Sequence, residues 1–432
     1  MTSSGPPPMG VSDQERRYIQ RRAAAAFVAS AVVGLLVWVI FVRGGETEQV
    51  QTADDASVTL AEQSSAAPAA PPALVASDIT TTTAVPPVAL AAPSDGKTAA
   101  QRSMTKVLTI TDGPLRPKSV VATGDGRFIA QNMMYAHTVT VYDRSFSLVK
   151  KIDDTIDPAA LGLSGVAGPL DGSPVEAAIA PDRSVAWVSN YQMYGPGFDK
   201  PGGDKCAADG TWDNSYLYRI NLTSLEIDGA VEVGPVPKYV ATTPDGKTVL
   251  VTNWCGYDMS VVDVATMRET ARIPIGRFPR GIAVTRDGAT AYVAVMGSAD
   301  IAVVTLSTQQ VSWIRGVGQG PRHLVLSPDD ATLYATLNSA GKVAKIDTAS
   351  RQVVASVASP KAPRSMAISD DGTALYVVNY ESDAVSKIET AGMTEVQRVP
   401  VGRHPIGITY DADTRQIWVA CYVGQLVVLQ DA

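Results

Sequence analysis

Five basic residues occupy one recurring position in the chain. Lys118, Lys238, Arg280, Arg322 and Arg364 each stand directly after a proline that opens a β-rich apolar run. Two further repeats place Val175 and Ile406 there. If the repeats close around an axis, these cations converge on one mouth, repel one another and favour an anion, unless acids from neighbouring loops neutralise them. Cations paired to acids, tying one repeat to the next, are the alternative. Amide and aromatic groups recur near the same end: Asn190, Asn253, Trp254, Asn379 and Tyr380, with His323 directly after Arg322. Stacking faces beside cationic and amide donors suit a sugar, a glycan or a peptide terminus. The alternative is that some of these rings only pack between repeats.

No catalytic constellation accompanies these residues. The chain has no CxxCH haem motif, HExxH pair, GxSxG elbow, Walker loop or GxGxxG, so no catalytic residue, cofactor or metal is assigned. His137, His323 and His404 lie in distant repeats, a poor arrangement for a shared metal. Asp199, Asp204, Asp209, Asp213 and Asn214 offer hard oxygens but in no calcium-loop spacing, and are expected to be solvated turn acids. A hydrolase would need acid or base groups at the same mouth, for which Glu176 with Asp258 or His323 are the candidates.

The elements that must position these groups are legible in the repeat. Pro237, Pro279, Pro321, Pro363 and Pro405 are 42 residues apart. Each opens an apolar strand, a turn and a second strand, as in PKYVATTPDGKTVLVTN and PRSMAISDDGTALYVVN. Asp-Gly between β-rich runs is a strong hairpin signal. A third and a fourth strand follow in each unit, and four short strands in about 42 residues make one propeller blade. Earlier units start at Pro117 and Pro174 and carry insertions at residues 154–173 and 191–214. The reading is therefore all-β, a seven-bladed β-propeller of four-stranded blades over residues 104–432. The last unit lacks a fourth strand, and residues 107–111 are expected to supply it and close the ring. Both insertions are expected on the rim of the channel mouth, as binding loops.

Leu250-Val251-Thr252-Asn253, Trp187-Val188-Ser189-Asn190 and Tyr376-Val377-Val378-Asn379, each following a turn such as P-D-G or D-D-G, resemble the YVTN-repeat (YncE-like, surface-layer-type) β-propeller family over about 330 of the 432 residues. The resemblance implies an extracytoplasmic propeller. It also brings two functional alternatives: hydrolysis of a sugar lactone in the channel, and, less favoured, DNA binding. Val295, Leu337 and Cys421 replace the final Asn in three blades.

Residues 23–42 are twenty consecutive uncharged residues, AAAAFVASAVVGLLVWVIFV, long enough as a helix to span a bilayer. Arg16, Arg17, Arg21 and Arg22 precede this run, which is expected to be a signal anchor with residues 1–22 cytoplasmic and the rest outside the cytoplasmic membrane. Residues 43–103, rich in Ala, Pro and Thr and without aromatics, read as a disordered extended linker. In an oxidising compartment Cys206 and Cys255, in the lid and in the matching loop of the next blade, are expected to form a disulfide, leaving Cys421 a buried thiol. With 45% apolar and 18% charged residues the chain as a whole is neither disordered nor collagen-like, and a net charge of −7 gives no general attraction to nucleic acid. The functional expectation is a membrane-tethered, non-enzymatic binding or scaffold module, its partner a cell-envelope glycan, an envelope protein or a small anionic ligand.

Overall fold

In the blade that opens at Pro237 the four strands are Pro237–Thr242, Thr248–Asn253, Asp258–Asp263 and Arg268–Pro274, paired in that order and all antiparallel. The turn between the first two is held by local polar bonds: Asp245 accepts from the Thr243 hydroxyl at 2.6 Å and the Lys247 N–H at 3.1 Å, and Gly246 takes φ +69°. Asp330 replaces glycine in the blade that opens at Pro321 and takes φ 59°, so an Asp-Asp pair makes the same turn. The second strand is buried along nearly its whole length, whereas the fourth alternates exposed and covered residues. A middle strand lies between two neighbouring blades and therefore reads as a continuous apolar run; an outer strand faces water on one side.

Seven such sheets are present in the computed structural model, which describes residues 95–432 except 114, 164, 167, 208 and 209. The predicted tail and membrane span, and residues 43–94 of the predicted linker, lie outside the described residues. Among the described residues no helix is long and apolar enough to cross a membrane.

Closure of the ring follows the expected route. Met104–Ile110 pairs antiparallel with Gln425–Asp431, completing the blade of Pro405–Asp411 and Gln416–Cys421. A buried polar group reinforces this seam: Lys387 Nζ lies 2.5 Å from Asp431 and donates to the Arg102 carbonyl at 2.8 Å, and the Tyr376 hydroxyl donates to Asp431 at 2.6 Å. The folded part starts earlier than the predicted boundary at residue 104. A short 3-10 turn at Ala99–Gln101 docks on the sixth blade, with the Ala99 N–H on Asp371 at 2.8 Å.

Blades pack face to face through apolar layers, such as Trp418 of the seventh blade stacked on Phe128 of the first at 4.0 Å. Around the axis the inner strands come close enough to require glycine twice. A Cβ on Gly281 would meet the His323 backbone at 2.9 Å, and one on Gly407 would meet Ser119 Cα at 2.6 Å. The first insertion adds an element that apolar periodicity did not reveal, a two-stranded ribbon of Thr155–Ile156 and Leu170–Asp171 bridged to Tyr194.

Candidate functional site

The residue before the proline fixes where each cation sits. Val236, Phe278, Ala362 and His404 all take positive φ, between 54° and 59°, and Gly320 takes +69° in the equivalent place. This left-handed step lets each of these carbonyls accept a hydrogen bond from the loop joining strands two and three: Trp254 to Val236 at 2.9 Å, Met296 to Phe278 at 3.0 Å, Tyr380 to Ala362 at 3.1 Å and Tyr422 to His404 at 3.0 Å. Feeding loop and cross-strand loop are thus locked on one face. Non-glycine residues held in this conformation each cost about 1 kcal/mol or more, a strain that clusters at functional sites.

On the axis lies a narrow cavity to which every blade contributes. Lys118, Lys238, Arg280 and Arg322 line it, with Val175, Ile406, Glu176, Tyr239, His323 and Ser365. Arg364 stands at its edge, its guanidinium 3.6 Å over the Tyr380 ring. Four of the five recurring cations therefore line one cavity, and Arg364 is near enough for its charge to act on Lys118. Among the described residues only Lys238 has a carboxylate in ion-pair range, Asp204 of the second insertion at 2.8 Å. The Nε atoms of Arg280, Arg322 and Arg364 are buried without a hydrogen-bond partner.

The protonation equilibria record this crowding. Burial first, then repulsion from Arg280, Lys238, Arg322 and Arg364, pushes Lys118 well below its ordinary value. Arg322 is pushed well down by burial and by Arg280 and Arg364. Burial brings Lys238 to about 7 against the pull of Asp204. Glu176 is raised by burial to about 7, although the Ser119 hydroxyl and the charges of Arg280 and Lys118 draw it down. Burial and the neighbouring Arg322 and Arg280 lower His323 to about 3, so it is neutral. The Tyr239 hydroxyl lies 3.1 Å from His323 Nε2.

Two of these groups set the pH response of the empty protein. Glu176 rises from 4.5 to about 7, so its stabilising protonation is complete below pH 4.5 and is lost as pH rises through 7. Lys238 falls from 10.5 to about 7, so its contribution is present above pH 10.5 and is lost as pH falls through 7. Unliganded stability should therefore pass through a minimum near neutrality, checked by thermal melts at pH 5, 7 and 9. Glu176→Gln should leave the melt at pH 5 unchanged and add up to about 3 kcal/mol at pH 8. Equal effects at both values would remove Glu176 from this account.

The predicted aromatics Trp254 and Tyr380 do not line the cavity but pack against its cations, Trp254 against Lys238 and Arg280 and Tyr380 against Arg364. Lys238 Nζ lies 4.1 Å over Tyr191 and 5.0 Å over Trp254; Lys118 lies 5.4 Å over Tyr422. Trp254 stacks on Phe278 at 4.4 Å, and Tyr380 on His404 at 4.6 Å. The asparagines are placed differently from expectation. Asn190, Asn253 and Asn379 are fully buried between strands, away from the cavity. Asn253 donates to Asp258 and Ser260 at 2.7 and 2.8 Å, and Asn379 to Ser386 at 2.8 Å. Buried amides must bond, and the facing strand is where partners are. The three histidines do not meet: His137 packs on Tyr194, His323 on Tyr239 and His404 on Tyr380. Glu176 and His323 do share the cavity, while Asp258 does not line it and instead takes the Asn253 amide.

The predicted Cys206–Cys255 disulfide is present, and Cys421 is a buried free thiol. The bridge pins the loop that carries Asp204, with Trp254 Nε1 donating to the Asp204 carbonyl at 3.2 Å and the Tyr257 hydroxyl to the Cys206 carbonyl at 2.9 Å. Of the lid acids, Asp204 is not a free turn acid but the counter-ion of Lys238, a role that only the folded lid reveals. Asp213 caps the Lys200 N–H, Asn214 donates to Glu232 at 2.6 Å, and Asp209 lies outside the described residues. Among the described residues no three His, Cys, Asp or Glu side chains cluster as metal ligands. Replacing both bridge cysteines by serine frees a loop with a sequence separation of 49. The expected cost is roughly 2–4 kcal/mol, read by urea unfolding, together with increased exposure of Trp254 fluorescence to quencher.

No protein-family model and no curated protein matches the chain. Among solved structures it is similar to hydrazine synthase of Kuenenia stuttgartiensis, with a TM-score of 0.59 and 17% identity over 75% of this chain and 97% of that one. At this identity the likeness concerns the fold alone, and the fold it supports is the β-propeller described above.

Proposed function

We propose that this chain is a YVTN-type propeller that acts as a non-enzymatic binding module, and that the mouth of its channel takes an anionic group. One observation carries the reading: four cations line a narrow cavity with a fifth, Arg364, close by, and among the described residues one of the five has a carboxylate in ion-pair range. Such a ring is repulsive when empty and gains charge-assisted bonds when a carboxylate, phosphate or sulfate enters. The apolar run at residues 23–42 and the disulfide support a placement outside the cytoplasmic membrane, tethered by that run. There the anion would belong to cell-envelope glycan, an envelope protein or a small solute.

The test is a titration of the protein with citrate, inorganic phosphate and acidic glycan fragments, read by calorimetry and Trp254 fluorescence. Saturable binding at one site, weakening as salt rises and as pH rises from 6 to 8, is the expected result. Both Glu176 and Lys238 are better protonated beside an anion, which sets that sign. No saturable binding by any of the three anions would overturn the proposal. Lactone hydrolysis is favoured by a single observation, a Glu176 carboxyl poised near neutrality inside the cavity. Turnover of sugar lactones that is lost in Glu176→Gln would replace the binding reading by that one.

A further inference from the structure

A second site lies away from the channel, where the second blade departs from the repeat. In three blades the buried Asn at the end of strand two gives its amide to a small hydroxyl on strand three. Asn132 bonds Thr140 at 3.1 Å, Asn253 bonds Ser260 at 2.8 Å and Asn379 bonds Ser386 at 2.8 Å. That hydroxyl sits opposite the residue two before the Asn: Thr140 pairs with Ala130, Ser260 with Val251 and Ser386 with Val377. In the second blade the same register position, opposite Val188, is Tyr218. The phenol projects past the point where a serine hydroxyl would stand, and Asn190 is left with neither Oδ1 nor Nδ2 bonded.

The space so created is entered by a carboxylate. Asp154, at the end of the outer strand of the first blade, is 1% exposed, and neither of its oxygens has a partner. Its backbone is fixed on both sides, its N–H on the His137 carbonyl at 3.1 Å and its carbonyl on the Gly172 N–H at 2.7 Å. Asp154 Oδ2 and Asn190 Oδ1 face one point beside Gly172: a Cβ built there would lie 2.2 Å from the first and 2.4 Å from the second. The Tyr218 hydroxyl, fully buried and also without a partner, feels the Asp154 charge. Asp171 is the other charge acting on Asp154, and burial lowers the pKa of His137 beside them.

Four side-chain oxygens of Asp154, Asn190 and Tyr218 are thus buried without a partner, and the two donors beside them, the Asn190 amide and the Tyr218 hydroxyl, are unused as well. A proton on Asp154 would satisfy one. A hard cation between Asp154 Oδ2 and Asn190 Oδ1, which face one point, satisfies several at once and neutralises the buried charge. We propose that Asp154, Asn190 and Tyr218 hold a hard, oxygen-seeking cation of the size of Ca²⁺ or Na⁺. Both insertions start at this cluster, the first from Asp154 itself and the second from Tyr191, and they bridge at Asp171 and Tyr194. The ion would therefore fasten both rim loops to the blade beneath them.

The full chain, treated with chelator and dialysed against Ca²⁺, should retain one equivalent per chain by elemental analysis, or its melting temperature should rise by several degrees in Ca²⁺ or in Na⁺ over tetramethylammonium at equal ionic strength. The two arms tell the divalent from the monovalent ion. Asp154→Asn and Gly172→Ala should abolish retention and the rise, and Asp154→Asn should melt in chelator no lower than the parent. Absence of both retention and shift in the parent protein would overturn the site, in favour of a protonated acid with water. A shift that persists in Asp154→Asn would overturn it equally, by placing the ion on surface acids. If neither variant folds, the measurements on the parent protein still decide.

Discussion

Deleting residues 104–112 is expected to cost at least about 3–6 kcal/mol, a large share of the stability of an ordinary domain, so that the protein does not fold or melts far below its parent. Met104–Ile110 forms a complete outer strand against Gln425–Asp431, with Met104 and Ile110 buried. Each such side chain contributes about 1.5–3 kcal/mol. Gln397 of the sixth blade holds the Met104 backbone on both sides, accepting from its N–H at 2.6 Å and donating to its carbonyl at 2.9 Å. Without the strand, the apolar run Leu426-Val427-Val428-Leu429 becomes an open edge, which pairs with other copies. Circular dichroism melts and size-exclusion profiles decide. A monomer with unchanged melting would mean that the ring does not depend on this seam.

The double substitution Arg322→Ala and Arg364→Ala is expected to weaken anion binding by at least about 100-fold, since a hydrogen bond to a charged group contributes roughly 1.5–3 kcal/mol and two are removed. The same change should raise the melting temperature of the empty protein. Arg280, Arg322 and Arg364 have buried Nε atoms without partners, and their charges lower one another's pKa. Removing two of three repelling, incompletely bonded charges relieves the native state. Loss of affinity with gain of stability is the mark of a binding ring. Loss of both would identify the arginines as structural supports. Titration calorimetry with citrate and thermal melts without it give the two readings from one preparation.

The fold was legible because its signals are local and repeated. A proline every 42 residues, a turn after each first strand and a surplus strand before the first blade are enough to count blades and close the ring. The convergence of the cations followed from the same repeat. What stayed hidden depends on conformation or on cross-strand register. The left-handed residues before the prolines are Val, Phe, Ala and His, of which only His is a type enriched at positive φ. The asparagines looked like ligand groups because they end the strands that lead to the mouth, yet their amides are taken by the facing strand. Asp204 could be assigned to Lys238 only once the disulfide had placed its loop. The second blade's exchange of a small hydroxyl for Tyr218 is invisible without knowing which residue stands opposite Val188.

The seam between residues 104–110 and 425–431 also sets an order in time. Ser103 and Ala432 exchange backbone hydrogen bonds at 2.9 and 3.1 Å, so the first-made part of the propeller ends up joined to the last. During synthesis at roughly 5–20 residues per second, the earlier strand waits on the order of half a minute for its partner. Six blades can assemble one upon the next in that interval, but the circle stays open until the final residues emerge. Once it is shut, the edge that either segment would present alone is paired, and the strand that waited is held at both its ends.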